Sequence, residues 1–157
     1  MRVPNIFNSV ATQIQHIDKR WLEVKDKSIV FQKEYGTSPQ QVDQYINKII
    51  TYQPDVIDDW SWPQDTLRSG HGDCEDFALL KRAILLHTFS EDQIYFTLVR
   101  DLVSKQDHAI LVFDTGTEFL ILDNFNSLTL PDTQVKDYDP IMTFSGNKCW
   151  VHMLKRG

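Results

Sequence analysis

Apolar residues recur at spacings of three and four through Ile6, Val10, Ile14, Ile17, Trp21 and Val24. That is the period of an amphipathic helix, so the pattern predicts a first helix over residues 5–26. A second helix is predicted from Ser38, a capping residue followed by Pro39 at the first helical position. It carries Val42, Tyr45, Ile46, Ile49 and Ile50 on its apolar side and stops at Pro54. Turn-formers dominate Asp55 to Gly72, with a short helical turn expected at Gln64 to Arg68. The clearest helix then runs from Asp73 to His87. Its apolar residues cover most of the circumference, interrupted mainly by Lys81 and Arg82, which predicts a central, buried helix.

From Gln93 the pattern changes. Ile94 to Val99, His108 to Phe113, Glu118 to Leu122, Ile141 to Phe144 and Cys149 to Leu154 are short β-branched and aromatic runs separated by turn residues. They predict an antiparallel sheet, and helices followed by strands imply an α+β domain. Residues 1–157 read as one domain without repeat or linker.

Composition narrows the function classes. A 41% hydrophobic content supplies one packed core, and a net charge of −6 speaks against a broad nucleic-acid surface and for basic or cation-bearing partners. Cys74 and Cys149 form no CxxC or Cys/His zinc pattern; a disulfide between them is an alternative that would consume the candidate nucleophile. No run approaches the length of a membrane span, and Met1 to Gln15 holds no apolar stretch of the kind an export signal uses.

In Gly70-His71-Gly72-Asp73-Cys74-Glu75-Asp76-Phe77, a cysteine stands in the first turn of the buried helix. The helix dipole and the unpaired N–H groups there favour a thiolate and can hold an oxyanion. Asp73 and Glu75 work against it, because adjacent negative charge raises a thiol pKa. Two readings of the acids stand side by side. Asp73 and Asp76 have the spacing of a capping box, which the local sequence favours, while Asp73, Glu75 and Asp76 are also hard oxygen donors suited to calcium.

The segment from His108 to Asp123 reads as a hairpin turning at Asp114 to Thr117. A turn symmetric about Thr115 and Gly116 pairs Val112 with Phe119, Ile110 with Ile121, and His108 with Asp123. Directly opposed, the last pair could join ring N–H to carboxylate, and a one-residue slip would separate them. A strand-end histidine and a strand-closing Asp-Asn turn are the plain alternatives. With Cys74 the pair becomes a nucleophile, base and orienting acid. His71 could line the cleft, and Trp60 and Trp62 could wall a substrate groove; His16, His87 and His152 have no comparable setting.

Trp60-Ser61-Trp62-Pro63, the block from Gly70 to Ala78, His108-Ala109-Ile110-Leu111-Val112 and Leu120-Ile121-Leu122-Asp123-Asn124 resemble, in order and spacing, the LapG-type bacterial transglutaminase-like cysteine proteinases. The likeness spans roughly Val42 to Pro131; Ala109-Ile110 stand where that family commonly has methionine and valine. The resemblance implies a papain-like or transglutaminase-like fold with Cys74, His108 and Asp123 catalytic. It also implies calcium, with Asp73 and Glu75 as ligands and Asp76 as a further candidate. By the same resemblance the protein is periplasmic and releases a large surface adhesin by cutting near its N-terminus, often at paired alanines. Its partner is then an inner-membrane cyclic-di-GMP receptor. Rival readings are acyl transfer to an amine and a non-catalytic protein-binding module on the same scaffold.

Overall fold

The computed structural model describes residues 2–54 and 59–154. In chain order the elements are β1 (Ser9–Ile14), α1 (Lys19–Val24), α2 (Pro39–Ile49), β2 (Thr51–Tyr52), α3 (Pro63–Ser69), β3 (His71–Gly72) and α4 (Cys74–Leu85). They continue with β4 (Ile94–Asp101), β5 (Gln106–Asp114), β6 (Phe119–Leu122), β7 (Leu130–Pro131), β8 (Tyr138–Ser145) and β9 (Lys148–Leu154). Seven strands form one antiparallel sheet in the order β1-β9-β8-β4-β5-β6-β7, and β2 and β3 form a small parallel pair. The first four residues of the predicted turn-rich stretch, 55–58, lie outside the described residues.

The α+β class and the central helix are as the sequence predicts. Phe77, Leu80 and Ile84 of α4 pack with Val42 and Ile46 of α2 and with Phe96, Leu111, Phe113 and Phe144 of the sheet. Alternate strand residues, among them Tyr95, Ile110, Val112 and Ile121, form a second cluster on the other face with Ile6. Burial on both faces explains why these strands are apolar runs rather than alternating ones. Trp21 stacks against both Phe96 and Phe144, with ring centroids 5.7 and 5.4 Å away, and those two rings meet each other at 6.1 Å. Truncating Phe144 to alanine would cost about 3–5 kcal/mol by opening that core.

The predicted helix over residues 5–26 is not formed. Ser9–Ile14 is an edge strand whose backbone pairs with β9, and Asp18 caps a separate short helix by accepting from the N–H of Arg20. Val10, Thr12 and Ile14 are β-branched and also alternate, so pairing with β9 satisfies them as a strand. α2 begins as predicted, with a reciprocal box between Ser38 and Gln41 and Pro39 in its first turn. It ends at Ile49, before Pro54, because Ile50 is already extended and leads into β2. Both cysteines are free thiols, which overturns the disulfide alternative.

Candidate active site

The helix that carries Cys74 starts there because its cap is complete. The Asp73 carboxylate accepts from the N–H of Asp76 at 3.2 Å, and the Asp76 carboxylate accepts from the N–H of Asp73 at 3.1 Å. The second Asp76 oxygen accepts from the N–H of Ser61 at 2.9 Å, fastening the tryptophan segment to the helix start. Gly72 is required for this contact: a Cβ there would lie 2.7 Å from the Cβ of Asp76. Gly70 closes α3 in the left-handed region at φ +77°. The capping box leaves the N–H groups of Cys74 and Glu75 at the front of the helix.

The Cys74 thiol is mostly buried. It donates to Glu75 Oε2 at 3.4 Å and faces the backbone N–H of Ala109. Burial first, and Glu75 and Asp73 after it, push the thiol well above its ordinary value, while the Ala109 N–H pulls the other way. Burial and contact with the Glu75 carboxyl push Asp73 up to about 9. Two acids therefore flank the thiol and oppose its ionisation, as the sequence suggests.

Ala109 follows His108 on β5, so the contact that faces the thiol belongs to the strand that carries the imidazole. His108 is buried, with Nε2 2.7 Å from Asp123 Oδ1. Burial pushes the Asp123 carboxyl up, but the His108 hydrogen bond and charge, Tyr138 and the Phe125 N–H outweigh it and hold the group below its ordinary value. An ionised carboxylate only accepts, so Nε2 carries the proton of this bond and Nδ1 is the ring nitrogen left for other work. Asp123 also accepts from the Tyr138 hydroxyl and from the Phe125 N–H at 3.0 Å. Burial and the neighbouring Asp123 raise the Tyr138 phenol, which keeps it a donor.

The hairpin register differs from the predicted one by two residues. Val112 pairs with Ile121 and Asp114 with Phe119, so the loop is Thr115 to Glu118 and glycine sits inside a longer turn. A shift of two keeps every side chain on its face. Asp123 therefore still reaches His108, diagonally rather than from directly opposite, just beyond the end of β6.

Glu75 and His108 line one cleft of about 370 Å³, together with Arg20, Trp60, Leu98 and Ile141. Trp60 is both wall and core, packed on Phe96 at 5.0 Å. Trp62 is half exposed under the Lys27 ammonium, and His71 is exposed on β3. His87 bonds to the Ile29 carbonyl at 2.9 Å, and His152 bonds to Ser9 and Thr143 hydroxyls. Ala109, Phe125 and Tyr138 escaped sequence reading: two act through backbone or ring placement, and Tyr138 arrives from β8 with no local signal.

A sequence model of the bacterial transglutaminase-like cysteine proteinases matches residues 9–156. Among solved structures, Legionella pneumophila LapG is similar at 30% identity and a TM-score of 0.67, over 72% of this chain and 66% of that one. Its calcium-bound form is similar at 30% identity and a TM-score of 0.68 over the same shares, 72% and 66%. The EGTA-treated form is similar at 30% identity and 0.67, over 72% of this chain and 64% of that chain. The match thus spans just under two thirds of LapG's length. No match was found among curated proteins.

Proposed function

Because this chain belongs to the bacterial transglutaminase-like cysteine proteinases, we propose that Cys74 is its nucleophile, His108 its general base and Asp123 the group that orients the imidazole. The observation that carries the reading is the 2.7 Å bond from His108 Nε2 to Asp123 Oδ1, on the strand whose next N–H faces the Cys74 thiol. Nδ1 of His108 takes the thiol proton as the sulfur attacks a peptide carbonyl. The resulting imidazolium is held by Asp123. The N–H groups of Cys74 and Ala109 are donors available to the oxyanion. The proton passes from His108 to the leaving amine, and water, activated by the same nitrogen, then releases the acyl group.

Calcium fits the acids beside the nucleophile. Asp73 and Glu75 are hard donors, and Glu75 lies close enough to raise the cost of ionising Asp73, which either a proton or a cation relieves. These two would hold the ion. Asp76, the third candidate, has both oxygens on backbone N–H groups. A bound cation supplies neutralising charge, which lets Cys74 ionise.

The same proposal takes a large bacterial surface adhesin as substrate, the periplasm as compartment and an inner-membrane cyclic-di-GMP receptor as sequestering partner, all on the family resemblance. Among the described residues no helix is long and apolar enough to cross a membrane. Incubating the protein with candidate adhesins, with and without EGTA, and identifying fragment N-termini tests this reading. Calcium-dependent fragments with a single new N-terminus support it; an intact adhesin under both conditions contradicts the substrate.

A further inference from the structure

α4 was predicted to be apolar apart from Lys81 and Arg82, and the interior lysine has a specific use. Lys81 and Asp43 are both 0% exposed, and Lys81 Nζ lies 2.7 Å from Asp43 Oδ1. A charge is carried into a core only where a partner and further hydrogen bonds accompany it. Asp43 has them: its second oxygen accepts from the Thr129 hydroxyl, and the Asn47 amide is 3.5 Å from the first.

The partners of Asp43 and Asn47 lie on one loop. Asn47 Nδ2 donates to the Asp123 carbonyl at 3.0 Å and reaches the Asn126 carbonyl at 3.4 Å. Thr129, bonded to Asp43, stands at the far end of the same loop, just before β7. α2 therefore holds the Asp123 loop at both ends. Asp43 and Asn47 are four residues apart, so one helix face makes both attachments. Cys74 and Lys81 are seven apart, so they share a face of α4, about 10 Å from each other along the axis.

A continuous path results. The helix that begins at Cys74 is joined through Lys81 to Asp43, and α2 is joined through Asn47 and Thr129 to the segment that presents the Asp123 carboxylate. We propose that Asp43, Asn47 and Lys81 are positioning residues: a buried brace that sets the Asp123 loop against the Cys74 helix and so fixes the imidazole relative to the thiol. This rests on the assignment of Cys74, His108 and Asp123 made above. Apolar residues in place of Asp43, Asn47 and Lys81 would fill the same space between the helices, but they would leave the Thr129 hydroxyl and the Asp123 and Asn126 carbonyls without these partners.

The test is the rate at which iodoacetamide alkylates Cys74 in calcium-containing buffer, followed by peptide mass spectrometry, with melting temperature measured alongside. Asn47→Leu keeps the volume and removes the donors; Thr129→Val frees the other end of the loop; His108→Ala reports the dependence on the base. Misplacement of a reacting group by about 1 Å costs on the order of a hundredfold. The brace predicts that Asn47→Leu slows alkylation by roughly tenfold or more, approaching His108→Ala, and that Thr129→Val slows it less, with both variants melting cooperatively. Wild-type rates in the folded Asn47→Leu and Thr129→Val variants, with His108→Ala slow, would overturn the brace and leave the catalytic assignment standing. A wild-type rate in His108→Ala would overturn both. If Asn47→Leu fails to fold, Thr129→Val decides alone.

Discussion

Phe125 lies flat against the imidazole of His108, with ring centroids 4.6 Å apart and planes 12° from parallel, although its own side is 55% exposed. The phenyl ring covers one face of the imidazole while its backbone N–H donates to the Asp123 carboxylate that pairs with His108. Tyr52 meets Phe125 edge-on at 5.1 Å, continuing the cover toward the helix start. The electrostatic strength of the pair depends on such exclusion of water.

Replacing this ring should therefore weaken catalysis more than folding. Aromatic stacking of this kind is worth about 0.5–1.5 kcal/mol, so Phe125→Ala is expected to lower kcat/KM by roughly threefold to tenfold. The melting temperature should move by only about 2–4 °C, the shift that about 1 kcal/mol produces at this size. Steady-state kinetics and calorimetry on one preparation check both. A collapse of stability without a kinetic effect would contradict the role.

Tyr138→Phe removes one donor from a buried carboxylate and leaves the ring in place. An unsatisfied buried acceptor costs about 1–3 kcal/mol, so the variant should melt several degrees lower. Its activity should fall less than that of Asp123→Ala, because the Phe125 N–H and His108 still hold Asp123. Melting curves and kcat/KM for the two variants, compared side by side, decide this.

How much of this could be read in advance differs by element. The helix start at Cys74 was legible because its cap, its glycines and its apolar run are all local. The hairpin was legible in parity and not in register. Gly116 marks the turn, but a loop two residues longer leaves the same alternation, and only the packed strands choose between them. The first helix was misread because Val10, Thr12 and Ile14 suit a strand as well as a helix, and β9, which decides, lies more than a hundred residues away. Tyr138 and Asn47 reach Asp123 from other elements, and no spacing encodes that. Lys81 looked like an interruption of an apolar helix until Asp43 was opposite it.

His152 offers a pH dependence whose sign follows from its burial. Desolvation lowers its pKa from 6.5 to about 4 in the folded protein, while its two ring nitrogens bond to Ser9 and Thr143. The depressed value means the native state binds fewer protons than the unfolded one in this interval. The contribution to stability is present above 6.5 and is lost as the pH falls toward about 4. Denaturant melts across that range should show the loss, and His152→Gln should flatten it; an unchanged slope in the variant would contradict the assignment.

Calcium removal should act through the acids beside the thiol. EGTA is expected to lower both the melting temperature and the alkylation rate of Cys74, because the Glu75 carboxylate then faces it uncompensated. Glu75→Gln leaves the capping box between Asp73 and Asp76 intact and removes the Glu75 charge. In EGTA this variant should alkylate faster than wild type at the same pH. Equal rates would mean that Glu75 does not oppose ionisation of the thiol.

In the proposed reaction one sulfur, that of Cys74, is the nucleophile. Fragment analysis of a susceptible protein incubated with wild type or Cys74→Ala, at matched concentration with calcium present, isolates that role, since Cys149 is a free thiol buried in the core. A defined new N-terminus is expected with wild type and none with Cys74→Ala. Cleavage at the same bond and rate by Cys74→Ala would contradict it.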